Sequence, residues 1–299
     1  MNKTGIVIHR EYTTRIRKPS FVVITLLMPV LFLAIVWGSM MMSPTDATSL
    51  PVATMTADLP SLQADVDTAL GMIFTFLIYI FIMVYGAMVM QGVMEEKTNR
   101  IIEVMISSVR PFDLLLGKII GISLVGLTQF VVWGAFFTLG FLLLSSSESW
   151  QFILALMLAI SNIGEILLFF VAFFIGGYLL YASLFASIGA VTNSHEDTQQ
   201  FLMPVTLIIL FAFYVGMYSA QHPDGTLALW ASLIPFTSPI VMMTRIAYGL
   251  PAWQWILSLV LLYAADGLMI GAAAKIYRTG ILMYGKKPSL KEIIKWLKY

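Results

Sequence analysis

Six long apolar stretches dominate the chain, and they limit what it can fold into more than any other feature. They run through roughly residues 20–42, 69–93, 117–144, 164–191, 201–220 and 252–274. A helix needs about 20 apolar residues to cross the hydrocarbon core of a bilayer. Charged residues make up only 11% of the sequence, against about 25% in soluble domains. The sequence therefore predicts an all-α integral membrane protein with six transmembrane helices and excludes an ordinary soluble enzyme.

Basic residues are distributed very unevenly between the segments that flank these stretches. Sixteen of the 17 lysines and arginines lie in an N-terminal arm (1–19), in the segment 94–118 or in a C-terminal tail (275–299), and the exception is Arg245. The connecting segments on the other side carry acidic residues and no lysine. By the positive-inside rule, both termini are expected in the cytoplasm, and the protein is expected to be multi-pass in a plasma membrane such as a bacterial inner membrane.

Three segments flank or interrupt the transmembrane domain, which is predicted to cover residues 20–274. Residues 1–19 have a weak apolar face at helical spacing and are expected to form an interfacial elbow helix on the cytoplasmic side. The tail, 275–299, contains a capping box and one apolar helical face, which predicts an amphipathic helix on the membrane surface. Residues 43–68 are rich in Ser, Thr, Asp and Pro and predict a short external loop without a core.

Two apolar pieces near the end of this domain are too short to span a membrane. They cover residues 226–234 and 239–249 and are bounded by Pro235, Pro239 and Pro251. Broken helices at membrane depth are tolerated where they pack against protein. We therefore expect a re-entrant hairpin over residues 225–250 in the outer leaflet, and a pair of helices lying on the outer surface is the alternative.

The segment 94–118 has the most distinctive pattern outside the apolar stretches. It continues the second stretch, becomes amphipathic between Ile101 and Ile106, and is then interrupted by two serines. Pro111 suits the first turn of a restarting helix because its missing N–H would have no partner there. The pattern predicts a short helix across the membrane surface, joined to two spans. It is either a docking element for a cytoplasmic partner or a solvated loop without one.

Few residues suggest chemistry within the chain itself. The stretch 280–287 approaches a phosphate-binding loop, but Lys287 stands where that motif needs Ser or Thr, and the stretch follows a membrane helix instead of a strand. His9, His195 and His222 have no metal-ligand spacing, and cysteine is absent. We therefore expect no enzyme activity, catalytic residue, metal site or cofactor in this chain.

Three polar residues form a candidate intramembrane polar site: Gln129, Glu165 and Asp266. Ionisable side chains within a span are costly and are functional hypotheses by default. Asp266 would line a cation path, or in its neutral form it would hydrogen-bond to Gln129 or Tyr263 at a helix contact. The second role is favoured because one carboxylate supplies too few ligands for a dehydrated cation. Glu165 is expected at the interface.

Three stretches resemble one family in order and spacing. They are EEKTNRIIEVMISSVRPFDLLLGKIIG (95–121), GGYLLYASLFASIGA (176–190) and LIPFTSPIVMMTR (233–245). The chain is in this respect similar to type 2 ABC transporter permeases of the sodium-export (NatB-like) group, over most of residues 69–299. Permeases of that group usually carry a large folded external domain between the first two spans, whereas this chain has only 43–68 there.

The resemblance implies a permease half that pairs with a second half, as a homodimer or a paralogous heterodimer. It also implies separate ABC ATPase subunits, which would bind the ATP and magnesium. By this resemblance, the residues that couple the permease to the ATPase are expected to be Glu95, Glu96, Arg100 and Glu103. The residues of an outer gate are expected to be Pro235, Pro239 and Arg245.

The prediction that follows is the membrane subunit of an ABC exporter, in which hydrolysis by a separate ATPase drives substrate efflux. A stand-alone secondary transporter driven by an ion gradient is the alternative, and it should show internal repeats. A third hypothesis is a membrane scaffold that recruits a partner without transport. The net charge of +1 argues against a nucleic-acid partner. Sodium, drugs, peptides and lipids remain open as substrates, and the apolar interior favours an amphipathic organic molecule.

Overall fold

The fold is described here from a computed structural model, which covers residues 3–19, 21–23, 25–27, 29–31, 59–102, 108–144 and 163–283, together with 292, 295 and 296. Every regular element in this part of the chain is a helix. The helices are α1 Lys3–Ile16, α2 Leu59–Thr98, α3 Pro111–Leu144, α4 Ile163–Val191, α5 His195–Gln221, α6 Thr226–Leu233, α7 Ser238–Ile246 and α8 Ala252–Gly280.

Five of these helices, α2 to α5 and α8, are long and apolar enough to cross a membrane. They correspond to the second to sixth predicted stretches. The first predicted stretch is described only in part: its described residues between 21 and 31 are helical, and 32–42 lie outside the described residues. The prediction of an all-α, multi-pass membrane architecture is confirmed, with five candidate spans in the described part of the chain.

The observed ends of α2 change the predicted bounds of the segments that flank it. The helix begins inside the predicted external loop 43–68, so the last part of that loop is helical, while 43–58 lie outside the described residues. At its other end α2 continues to Thr98 and stops where Arg100 adopts a positive φ of 55°, a conformation that commonly ends helices. The following helix, α3, begins at Pro111 as expected. The predicted tail helix lies mostly outside the described residues.

The centre of the bundle is α4, which packs along α2 on one side and along α8 on the other. Aromatic side chains fill the space between α2, α3 and α4. Phe81 stacks on Phe130 with ring centroids 4.1 Å apart, and Phe130 meets Phe174 edge-on at 5.0 Å, which are favoured aromatic geometries. The outward faces of α5 and α8 expose large apolar side chains such as Phe211 and Leu268, as expected of surfaces that face lipid.

Two glycines of α3 let α1 approach it closely. A Cβ on Gly117 would lie 2.7 Å from the Cβ of Val7, and a Cβ on Gly121 would lie 2.8 Å from the Cβ of Glu11. Real Cβ atoms do not come this close, so only glycine fits at these positions. Small residues four apart are a common means of close helix packing in membranes, and here they seat α1 against the first half of α3.

Replacing Gly117 with leucine is expected to displace α1 from α3, because the new side chain would overlap Val7 at a cost of about 1–3 kcal/mol. The native chain has no cysteine, so the contact can be followed by oxidative cross-linking of Thr4→Cys with Asp113→Cys, whose native side chains are hydrogen-bonded at 3.2 Å. Cross-linking should fall in Gly117→Leu. It should persist in Gly134→Leu, where no atom lies within 4 Å of the added Cβ; equal yields in both variants would contradict the prediction.

Two short helices, α6 and α7, lie between α5 and α8. All nine residues of α7 are buried, and the helix packs against α2, α4, α5, α6 and α8. In contrast, α6 exposes Leu227 and Trp230. α7 is therefore enclosed by protein, whereas α6 is partly exposed.

Candidate coupling site

A buried ion network joins α1, α2 and α3. The side chain of Lys118 is 1% exposed, and its ammonium nitrogen lies 2.7 Å from Glu96 Oε2 and 3.9 Å from Glu11 Oε1. Arg15 Nε lies 3.4 Å from Glu11 Oε2, and its guanidinium also donates to the Met88 carbonyl at 3.4 Å. A buried ammonium group is tolerated only when it is paired. The two carboxylates therefore hold Lys118 in place and connect the three helices.

A cavity of about 220 Å³ opens beside this network, between α1 and the end of α2. Its lining includes four basic and three acidic side chains. The basic residues are Arg10, Arg15, Lys18 and Lys118, and the acidic residues are Glu11, Glu95 and Glu96. The near balance of charge leaves little net positive potential to attract an anionic nucleotide, so the cavity is a polar junction between helices.

The four residues expected to couple to an ATPase occupy different environments. Glu95 and Arg100 are exposed. Glu96 is 8% exposed and paired with Lys118, so its carboxylate serves the internal network instead of the surface. Successive helical residues point about 100° apart, which separates the two adjacent glutamates. Glu103 lies outside the described residues.

Lys97 connects α2 to α4, a contact that the sequence did not predict. Its ammonium group donates to the Ala190 carbonyl at 2.7 Å, which satisfies a carbonyl at the C-terminal end of α4 that has no partner within the helix. The hydroxyl of Thr198, in the first turn of α5, donates to the Ser194 carbonyl at 2.8 Å, and its oxygen lies 3.3 Å from the Met94 sulfur of α2. The end of α2 is thus attached to α4 and α5. Lysines that follow apolar stretches commonly extend to the interface, so the sequence offered no distinguishing signal.

Arg245, expected in the outer gate, is a buried clamp between α6, α7, α8 and the loop after α5. Its Nε donates to the Pro223 carbonyl at 2.7 Å. The two terminal nitrogens donate to Ser232 Oγ at 2.6 Å and to Gln254 Oε1 at 2.8 Å. Arginine stays charged even when it is buried, so all three bonds are charge-assisted.

The two gate prolines lie near the turn between α6 and α7. Pro239 is buried against α4, where a Cβ on Gly177 would lie 2.6 Å from the proline Cβ. Pro235 is half-buried in the turn, and Tyr181 of α4 donates to the carbonyl of the next residue, Phe236, at 2.5 Å. The three predicted gate residues therefore belong to one packed unit, held by α4 at the turn and by the arginine clamp at the end of α7.

The three candidate intramembrane polar residues occupy different environments. Gln129 accepts a hydrogen bond from Tyr85, and Glu165 is exposed in the first turn of α4. Asp266 is 3% exposed, and neither of its carboxylate oxygens has a partner among the described residues. The predicted hydrogen bonds from Asp266 to Gln129 or Tyr263 are therefore wrong: Tyr263 donates to a carbonyl of α4 instead. In the described ranges, no three His, Asp or Glu side chains are grouped as metal ligands.

Comparison with known proteins identifies the family. The sequence profile of the ABC-2 family transporter protein matches residues 54–275. The chain is 30% identical over 234 residues to the uncharacterized protein YhaP of Bacillus subtilis (strain 168), covering 77% of this chain and 56% of YhaP. It is 28% identical over 223 residues to the uncharacterized protein MJ1024 of Methanocaldococcus jannaschii, covering 74% and 52% respectively. The chain thus spans about half the length of these curated relatives. The profile match and the five apolar helices show that the chain belongs to the ABC-2 transporter family, as a transmembrane component of the permease type.

Proposed function

We propose that this chain is the membrane permease half of an ATP-driven exporter. A second half, identical or paralogous, completes the transport path, and separate ABC ATPase subunits bind ATP and magnesium and perform the hydrolysis. Membership of the ABC-2 family supports this assignment. The main structural support for the proposed function is the candidate coupling site. At this site a buried ion network lies directly beside an exposed surface at the end of α2.

The proposal includes a specific arrangement in the membrane. The stretch 20–42 is the first of six spans, α1 is an elbow helix at the cytoplasmic interface, and α6 and α7 form a re-entrant hairpin in the outer leaflet. The helical residues between 21 and 31, the packing of α1 beside Lys118 and the burial of α7 support it. The basic segments 1–19 and 275–299 support a cytoplasmic location for both termini at a plasma membrane.

The surface that would receive the ATPase is the exposed rim, which consists of Glu95, Asn99, Arg100, Ile101 and Phe112. Ile101 and Phe112 are 42% and 46% exposed. Ile101 lies beyond the end of α2, Phe112 lies in the first turn of α3, and each is next to a charged residue in the sequence. Apolar side chains surrounded by a polar margin are typical of the core of a protein interface, and we infer that the ATPase subunit docks here.

Movement of the rim would reach three further helices through buried bonds. The Glu96–Lys118 pair transmits it to α3 and, through Glu11, to α1. The bond from Lys97 to Ala190 transmits it to α4 at the centre of the bundle. Tightly packed elements change between discrete arrangements and do not deform gradually. Closure of the ATPases would therefore move these helices together.

Replacing Glu95 with lysine is expected to weaken association with the ATPase by about tenfold or more, because like-charge contacts at an interface cost several kcal/mol. Glu95 is exposed, so the fold should persist. The measurement is mild-detergent purification of the tagged chain from its own host, with the ATP-hydrolysing protein quantified per permease.

The matched control is Glu165→Lys, which reverses another exposed carboxylate at the opposite end of α4 from the Lys97 contact. The amount of ATPase that co-purifies per permease should be the same for this variant as for the native chain. Equal recovery with Glu95→Lys would contradict docking at the rim. A folded, dimeric native chain that brings no ATPase would contradict the exporter and favour the ion-driven secondary transporter.

A further inference from the structure

A buried carboxyl group lies midway along α8, where that helix packs against α4. Asp266 is 3% exposed, and both of its oxygens lack a hydrogen-bond partner among the described residues. A Cβ on Gly176 would lie 3.5 Å from Asp266 Oδ2 and 2.6 Å from a methyl group of Leu262. The carboxyl group therefore faces the bare backbone of α4 beside an apolar side chain.

No cation faces this carboxyl group from the described parts of α3, α4, α6 and α7, the helices that pack against α8. Arg245 is the ionisable residue of α7, and its partner Gln254 lies twelve residues before Asp266, about 18 Å along α8. Lys118 of α3 is paired with Glu96. The sequence of α6 contains no ionisable side chain. The nearest basic residue further along α8 is nine residues away, or about 14 Å.

The other titratable groups in these helices are either engaged elsewhere or distant along their helix. Asp113 of α3 accepts a hydrogen bond from Thr4, and Tyr277 lies eleven residues beyond Asp266, about 16 Å along α8. Tyr263, in the preceding turn of α8, donates to a carbonyl of α4 at 3.0 Å. Tyr178 and Tyr181 of α4 donate to backbone carbonyls of α3 and of the α6–α7 turn. Glu165 begins α4, about 16 Å along the helix from Gly176. None of these groups supplies a donor to the carboxyl group.

We propose that Asp266 is a proton-binding site, occupied while α8 is packed against α4. An ionised carboxylate without donors is strongly disfavoured in apolar surroundings. A divalent metal ion needs about six oxygen ligands, far more than one carboxyl group provides. A proton needs only the one carboxyl oxygen to which it bonds. Separation of α8 from α4 admits water, so the proton leaves to that water and the carboxylate becomes solvated. Proton release is therefore linked to the opening of this helix contact.

Infrared difference spectroscopy of the purified full-length chain in lipid tests the site without any ATPase or substrate. Subtracting the spectrum of Asp266→Asn from that of the native chain should leave the C=O stretching band of a neutral carboxyl group at pH 7. The control Glu165→Gln, which replaces an exposed carboxyl group at the other end of α4, should keep the neutral band of the native chain. A native-minus-Asp266→Asn spectrum that contains carboxylate bands and no neutral band would overturn the proposal.

A second measurement keeps the test valid if Asp266→Asn does not fold. The native chain grown with aspartate that is isotope-labelled in its carboxyl group should show an isotope-shifted neutral band at pH 7, because Asp266 lies midway along a described apolar span, whereas Asp113 and Asp197 lie in the first turns of theirs. Absence of a shifted neutral band would overturn the proposal.

A separate variant tests whether proton release depends on the opening of the contact between α4 and α8. Gly176→Leu would collide with Leu262 and push α8 away from α4, so the neutral band should be replaced by carboxylate bands. Gly267→Leu, on α8 where no atom lies within 4 Å of an added Cβ, should keep the neutral band. A neutral band that survives in Gly176→Leu would overturn the link between proton release and opening.

Discussion

Replacing Arg245 with methionine is expected to lower the free energy of unfolding by about 3–5 kcal/mol. A hydrogen bond to a charged group contributes about 1.5–3 kcal/mol, and methionine fills similar volume without donating any. The substitution would leave the buried acceptors of Ser232 and Gln254 and the half-buried carbonyl of Pro223 without their partner. The three bonds share one side chain, so their contributions are not fully additive. Denaturant titration of the purified chain in micelles, followed by the helical circular dichroism signal, measures the change.

The control for this substitution is Arg278→Met, which removes an exposed guanidinium at the end of α8 and should change stability by no more than about 0.5 kcal/mol. Arg245→Lys should fall between the two, because an ammonium group keeps the charge but cannot reproduce the planar fork of donors. If Arg245→Met behaved like Arg278→Met, the clamp would not stabilise the α6–α7 unit.

Replacing Lys118 with methionine is expected to destabilise the chain by a similar amount, about 3–5 kcal/mol, because breaking a buried ion pair leaves an uncompensated charge. The carboxylates of Glu96 and Glu11 would lose the ammonium group that lies 2.7 Å and 3.9 Å away. The same denaturant titration measures this loss. Recovery of the ATPase should also fall, since the rim would no longer be joined to α3.

The double variant Glu96→Gln with Lys118→Met isolates the ion pair from other effects. Glu11 would retain Arg15 as a partner, so the double variant should regain part of the lost stability, with a coupling energy of about 1–3 kcal/mol. Lys18→Met removes an exposed basic residue of the same cavity and should have little effect. Strict additivity of the two single substitutions would contradict a direct interaction between Glu96 and Lys118.

Local sequence pattern was sufficient for the membrane architecture. Apolar runs of about 20 residues predict spans because backbone groups in lipid must be satisfied within the helix itself, and five of the predicted stretches are apolar helices. Pro111 begins α3, and Pro235 and Pro239 mark the turn between α6 and α7. These features depend on residues that are close in sequence, and each follows from a property of one residue type.

Contacts between helices were not predictable in the same way. Glu95 and Glu96 are neighbours, yet Glu95 is exposed and Glu96 is buried against Lys118, twenty-two residues later. Neither the bond from Lys97 to α4 nor the unpartnered state of Asp266 leaves a local signal. In a membrane the faces that meet lipid and the faces that meet protein are both apolar, so the pattern of a span does not reveal its inner face. Packing between distant segments, including the glycine contacts of α3, determines which polar side chains meet and which are left alone.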